Sequence, residues 1–486
     1  MTRSSLLQRL PLLAAAALAA CTTVGPDYHL PDNAALQRPT AKAAFAQASG
    51  PAADAAPLPD GWWRLYRSAE LDALVEQALA ANTSLRVATA HLRRAASLVT
   101  AVDAERLPHA GVKAGVKRAR ESGEAFLLPE QLPVMNEGEL VVGASYQLDL
   151  WGQLKRGEEA AEANLQAVEA ARDLARISVV SQVVQAYLQV CHAQTQQHAA
   201  MGALALRERS LALAERQEAE GRATRADVLQ AQGLVETQRA ALPHFDAERE
   251  AGLYRLAYLL GRTPQELAPE QVACAAPPEL AQAIPAGDGA TLLKRRPDVR
   301  QAERELAVAT AHIGVATAEL YPSISFGASL GVLGLAGHLG EPATQTFSLG
   351  PLLSWRIPDA GSRARVRMAE ADQQAALARF DGVVLQALAE VESALSRYRH
   401  DLERLSALRQ ARAKAAAVAQ DQQRYVEAGR RPLTTALESR QTLAAADVAL
   451  TAEGAEIARD QVQVFLALGG GWESGDTAQP PDAQPR

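Results

Sequence analysis

The stretch that decides the fold is 320–340, LYPSISFGASLGVLGLAGHLG, the most hydrophobic segment beyond the N-terminus and one without Asp, Glu, Lys or Arg. Its length alone suits a transmembrane helix, which needs about 20 apolar residues. Its period excludes one. Ile324, Phe326, Ala328, Leu330 and Val332 alternate with Ser323, Ser325, Gly327, Ser329 and Gly331. Period two marks a β-strand with one apolar and one polar face. The segment 346–357 repeats the pattern, with Phe347, Leu349, Leu353, Trp355 and Ile357 set against Ser348, Gly350, Ser354 and Arg356. Fainter alternation runs through 109–117 (Ala110, Val112, Ala114, Val116 against Gly111, Lys113, Gly115, Lys117) and 140–150.

Strands of about ten residues, apolar on one side and wet on the other, fit the wall of an outer-membrane β-barrel. A half-buried sheet in a soluble domain is the competing reading. Four strands cannot enclose a lumen, since even small barrels need about eight. An open sheet in lipid would leave its edge N–H and C=O groups unpaired. The strand count therefore implies that several copies of the chain lend four strands each.

Outward from the strands the sequence turns helical. No proline occurs between Pro133 and Pro243, from Asp359 to Arg431, or from Leu433 to Gln479. The segment 153–220 reads as one helix, about 100 Å long at 1.5 Å per residue. Within it Leu174, Ile177, Ser181, Val184, Leu188 and Cys191 keep alternating spacings of three and four. Val384, Leu388, Val391, Leu395, Tyr398, Leu402 and Leu405 do the same in a second long helix, 361–428. Heptad spacing of this kind packs helices side by side as coiled coils. Shorter helical stretches fall at 68–107 and 297–320.

The two halves repeat each other. Matching landmarks are spaced 214 residues (Leu107 to Tyr321), 209 (Gly152 to Gly361), 208 (Gly221 to Gly429) and 208 (Leu260 to Leu468). A tandem duplication of helix, strand, hairpin loop, strand, long helix, turn and helix explains this register.

Composition agrees. Of 486 residues, 48% are hydrophobic but only 4% aromatic, so the apolar share rests on Ala, Leu and Val, which suit closely packed helices. The net charge of −7, from 49 Lys+Arg and 56 Asp+Glu, argues against a nucleic-acid surface. Residues 1–21, MTRSSLLQRLPLLAAAALAAC, carry Arg3 and Arg9 ahead of a short apolar run. The ending Leu18-Ala19-Ala20-Cys21 resembles a bacterial lipoprotein signal, cleaved before Cys21 with acyl chains added to that cysteine. Thr22, where inner-membrane lipoproteins usually carry Asp, points to an outer-membrane address. An extended arm, 21–67, follows, and 471–486 reads as a flexible tail.

A search for chemistry finds none. Gly327-Ala328-Ser329-Leu330-Gly331 fits the GxSxG pattern, but Ser329 sits on the wet face of a strand and not at a strand-to-helix elbow. His192 and His198 are six apart, out of register for a shared metal on one helix face. Cys191 lies in the apolar stripe and reads as a small core residue. Cys274 stands in a Pro-rich stretch, and the sequence leaves its pairing with Cys191 open. There is no phosphate-binding loop, no metal or cofactor site, and no sign of an enzyme.

The lipoprotein signal, the duplicated strand-hairpin-strand and the long helices together resemble the TolC-like outer-membrane efflux proteins, in particular the lipoprotein branch serving resistance-nodulation-division pumps. The matching stretches are CTTVGPDYHLP at 21–31, LDLWGQLKRGEEAAEA at 148–163, RRPDVRQAERELAVATAHIGVATAELYPSISF at 295–326 and GRRPLTTALESRQTL at 429–443. The resemblance implies a mostly α protein with a membrane β-barrel: a homotrimer with twelve strands closing an outer-membrane barrel and twelve helices closing a periplasmic α-barrel. The repeats would be 68–261 (strands about 108–120 and 138–150) and 297–470 (strands about 321–334 and 344–357). An equatorial linker, 262–296, would join them. The protein would be a passive exit duct for small toxic compounds, working with a periplasmic adaptor and an inner-membrane pump. A duct for type I protein secretion, or a spacer lipoprotein, are the alternatives.

The resemblance also assigns the helical tips. Gly221, Arg222, Thr224, Gly429, Arg430 and Pro432 would dock the adaptor. Asp227 and Arg431 stand where family members can pair to hold the tunnel shut, and Glu438 where an inward cation-attracting ring is found. Thr435 occupies a position where some members carry a second gate Asp, and Tyr425 lies one residue further from Gly429 than the usual tyrosine.

Overall fold

The computed structural model describes residues 23–48, 53–54, 56, 58–124, 127–267, 272, 274, 276–280 and 282–470. The signal segment, Cys21 and the C-terminal tail lie outside the described residues. In chain order the elements are β1 (Ala53–Asp54), α1 (Ala69–Ala81), α2 (Thr83–Ala104), β2 (His109–Ala119), β3 (Met135–Leu148), α3 (Gln153–Ala219), α4 (Arg225–Arg239) and α5 (Leu242–Leu259). Then come β4 (Ile284–Pro285), α6 (Gly289–Arg295), α7 (Pro297–Ala318), β5 (Ser323–Leu335), β6 (Gln345–Ser354), α8 (Ala360–Glu427) and α9 (Leu433–Ala467). Within 320–340, Ser323–Leu335 is a strand, as its period requires, and no helix among the described residues is long and apolar enough to cross a membrane.

Two helices are broken where the sequence suggested continuity. The stretch 68–107 splits at Asn82, which is buried and serves both sides of the break. Its Oδ1 accepts from the N–H groups of Ser84 and Leu85, capping α2, while Nδ2 donates to the carbonyl of Leu259 at 2.9 Å. The helix after the first turn stops at Arg239 and restarts as α5 with Pro243 in its first turn, because proline cannot continue the hydrogen-bond ladder. Its counterpart α9 has no proline and runs unbroken.

The chain divides into two compact units that cut across the repeats. The first takes Met1–Pro31, His91–Glu169 and Gln301–Phe380. Its sheet is antiparallel in the order β2-β3-β5-β6, so strands of both halves interlock through the β3–β5 pair, and β2 and β6 are left as open edges. Helical segments of this unit bury alanines, among them Ala160, Ala163, Ala167, Ala311 and Ala318, so that helix axes approach closely.

The second unit takes Asp32–Ala90, Ala170–Arg300 and Asp381–Arg486. Its core gathers an aromatic cluster. Trp62 stacks on Phe465 with centroids 4.4 Å apart, and Trp63, Tyr66, Tyr187 and Tyr398 belong to the same cluster. The heptad stripe Ile177, Ser181, Val184, Leu188 and Cys191 is buried as expected, whereas Leu174 is exposed. The arm expected as extended carries 3₁₀ turns at Ala35–Gln37, Pro39–Lys42 and Trp62–Tyr66. Asp381 and Glu392 of α8 hold it by accepting from the N–H groups of Ala35 (2.7 Å), Ala46 (2.8 Å) and Gln47 (3.2 Å).

Here too the RRPDVR stretch finds its physical basis. The buried Arg296 guanidinium forks onto both oxygens of Asp298, reaches Glu390 at 2.8 Å, and donates to the carbonyl of Ala467 at the C-terminus of α9. A cation at that end meets carbonyls left without helical partners. A disulfide joins Cys191 to Cys274, with Cα atoms 5.3 Å apart, resolving the pairing that the sequence left open.

Candidate functional site

Strand register fixes what each face of the sheet presents. One row across all four strands reads Val112, Val142, Leu330, Phe347, and the next reads Ala110, Ala144, Ala328, Leu349. On the opposite face the rows read Gly111, Gly143, Ser329, Ser348 and His109, Ser145, Gly327, Gly350. The apolar face is unprotected by the chain itself: Leu330 is 69% and Phe347 81% exposed. A contiguous apolar surface of this kind marks contact with a membrane or a partner. Ser329 lies in mid-strand with its Oγ 2.7 Å from that of Ser348, as one of a row of wall hydroxyls.

Among the described residues of the four strands, the wet face carries charge only on β2 and β3. Lys113 Nζ lies 2.9 Å from Glu139, and Lys117 Nζ lies 3.0 Å from Glu137 and 2.7 Å from Glu121. Both lysines stand out in the sequence and their partners do not, because β3 begins at Met135, ahead of the segment in which alternation is evident.

The sheet ends in aromatic anchors. Trp151 stacks on Tyr321 at 4.6 Å and donates its indole N–H to the carbonyl of Pro322 at 2.9 Å. Trp355 donates likewise to the carbonyl of Leu320 at 3.2 Å. Amphipathic rings with one polar end suit a membrane–water interface. The N-terminal segment is fastened to the same junction. The Val24 N–H donates to the Trp151 carbonyl at 3.0 Å. Arg156, only 3% exposed, donates to the carbonyls of Val24 and Gly25 and to the carboxylates of Asp27 (2.8 Å) and Glu159 (2.7 Å). Gly25, with φ of +84°, lies so close to Gly314 of α7 that a Cβ would meet its Cα at 2.4 Å.

The tips belong to the second unit. Gly221 and Gly429 adopt φ of +71° and +70°, the left-handed conformation that ends a helix at low cost in glycine. The next N–H groups reach back, Arg222 to the carbonyl of Gln217 (2.7 Å) and Arg430 to that of Tyr425 (2.8 Å). Gly261 and Gly469 close the returning helices in the same way, through Arg262 to Ala257 and Gly470 to Phe465. The landmark pairs 221/429 and 261/469 thus share one backbone motif.

After the first turn, Thr224 and Asp227 cap α4 reciprocally. The hydrogen bonds from the backbone N–H and hydroxyl of Thr224 hold the Asp227 carboxyl below the usual carboxylate range. Pro432 stands at the N-cap of α9, after Arg430 and Arg431, which are exposed. Arg222 pairs with Glu220 inside its own turn. Within this chain Asp227 and Arg431 form no ion pair. Glu438 lines a groove of about 220 Å³ among α3, α4 and α9. Gln441 bridges that groove, accepting from Arg207 and donating to Ser210, both at 2.7 Å.

Elsewhere, burial and the nearby Arg459 charge push His192 down to about 4, so it is neutral near pH 7. Among the described residues no group of His, Cys, Asp and Glu is placed to hold a metal ion.

Comparison with known proteins extends this picture. Residues 74–262 and 290–470 match the family model described as outer membrane efflux protein. The chain is 30% identical to nodulation protein T of Rhizobium leguminosarum bv. viciae, over 98% of this chain and 95% of that protein. It is 32% identical to outer membrane protein OprJ of Pseudomonas aeruginosa, over 96% of each. The solved structure of the outer-membrane channel OprN superimposes with a TM-score of 0.83 at 33% identity, covering 93% of this chain and all of that one.

Proposed function

The chain belongs to the outer membrane efflux protein family, and from that premise we propose how it works as the exit duct of an efflux system spanning the periplasm and outer membrane. The observation that carries the reading is the sheet: four strands with open edges at β2 and β6, apolar on one face and Ser/Gly-lined on the other. Joining β2 of one copy to β6 of the next removes every edge once three copies meet, giving a twelve-stranded wall. Val142, Leu330 and Phe347 then face lipid, and Ser329 and Ser348 face the lumen.

The remaining roles are proposed from the family resemblance. Small toxic compounds pass passively, and an inner-membrane pump supplies the energy through a periplasmic adaptor seated on the tips around Arg222, Thr224, Arg430 and Pro432. Asp227 of one helix pair meets Arg431 of a neighbour to narrow the periplasmic end, and Glu438 adds a ring of negative charge behind them. Cys21 is the lipid anchor. No step in this account is catalytic.

Two measurements test the account. The purified full-length protein should form pores in planar bilayers and run as a trimer. Deleting the gene should sensitise cells to dyes, detergents or antibiotics; a protein that forms no pores would remove the duct reading.

A further inference from the structure

We propose that Lys113, Lys117, Glu137 and Glu139 govern the ion selectivity of the barrel by cancelling one another on its lumenal face. The inference rests on the duct reading and goes beyond it, since it names which wall residues set what the lumen admits.

The wet faces of β5 and β6 carry Ser, Gly, Thr and Leu and no charge, whereas β2 and β3 place two ammonium and two carboxylate groups there. The register matches them. Lys117 and Glu137 are direct cross-strand partners. Lys113 instead faces Val141, and its carboxylate comes diagonally from Glu139. The diagonal reach needs room, and Gly115, directly opposite Glu139, supplies it: a Cβ there would sit 3.1 Å from the Glu139 carboxylate. Both lysines stay well exposed, at 75% and 62% of their side chains, so these pairs do little to hold the hairpin.

Their effect lies in the field. A narrow aqueous passage with low-dielectric walls focuses the potential of any uncancelled wall charge. On the wet face of the strands themselves the four groups, paired at about 3 Å, carry no net charge in each copy; Glu121, which shares Lys117 at 2.7 Å, lies past the end of β2. A barrel wall so lined does not itself sort by sign, which suits zwitterionic cargo and cargo of either charge and leaves selection by charge to the tips.

The test uses the full-length protein in planar bilayers under a KCl gradient near 0.1 M, where the screening length is about 10 Å. Glu137→Gln with Glu139→Gln should move the reversal potential toward chloride, with a change of about twofold or more in permeability ratio. Lys113→Gln with Lys117→Gln should move it toward potassium. All four changes together restore balance and should return the wild-type value. Equal reversal potentials in all these proteins would overturn the proposal while leaving the duct intact. A wild type that forms no pores would overturn both.

Discussion

The Asp227 carboxylate is bonded to Thr224: a single oxygen, Oδ2, accepts from the Thr224 backbone N–H at 2.8 Å and from its hydroxyl at 2.7 Å. Thr224 Oγ1 in turn accepts from the Asp227 N–H at 3.3 Å, closing a capping box. The aspartate proposed as a gate residue is therefore already held in place by its own helix. Such a carboxylate is ionised and oriented before any partner arrives.

This arrangement separates two effects at the tip. Arg431→Ala and Asp227→Ala should both raise single-channel conductance in planar bilayers, because each removes one side of the charge pair proposed between helix pairs. Thr224→Ala loosens the cap but leaves the charge, so its increase should be smaller. A Thr224→Ala channel as open as Asp227→Ala, with Arg431→Ala unchanged, would show that helix order and not charge closes the tip.

The assignment of faces is testable at adjacent residues. Leu330→Arg sets a cation on the face presented to lipid and should cost about 2–4 kcal/mol near mid-bilayer, read as loss of folded trimer on urea titration in detergent or liposomes. Ser329→Arg points into the lumen and should leave trimer stability near wild type. Equal losses would contradict the alternation.

The Cys191–Cys274 disulfide closes a loop across 83 residues and ties the Pro-rich segment to α3. Replacing both cysteines by Ser should lower unfolding free energy by about 2–4 kcal/mol, mainly by freeing the unfolded chain. Thermal denaturation with and without reductant checks this: wild type should drop on reduction, and the double variant should not respond.

Asp460 on α9, 5% exposed, is buried beside the like-charged Asp401 of α8, and its Oδ2 has no hydrogen-bond partner. Burial first, and then Asp401, push its carboxyl up to about 7, with Glu456 adding to the rise and Arg397 opposing it. Folding raises this pKa above the ordinary value of 3.8, so its favourable contribution is complete below that value and is lost as pH climbs through about 7. Asp460→Asn should therefore raise the melting temperature at pH 8 and leave it nearly unchanged at pH 4. A variant that melts below wild type at pH 8 would contradict this account.

Much of the architecture is written in local pattern. Period two in 320–340 excludes a membrane helix, and the lack of proline in 153–220 and 361–428 predicts helices that end within one residue of those observed. The glycines at 221, 261, 429 and 469 declare both the turns and the duplication. These features are legible because each depends on residues a few positions apart, where spacing alone sets which side chains share a face.

What only the tertiary structure decided involves partners distant in sequence. Asn82 breaks a helix because the Leu259 carbonyl waits for its amide, and Arg156 and Arg296 are clamps because Asp27 and Glu390 come to them from 129 and 94 residues away. The lumenal charges cancel because strand register, and not sequence spacing, sets Lys117 opposite Glu137. Periodicity tells which way a side chain points; packing and register choose what it meets.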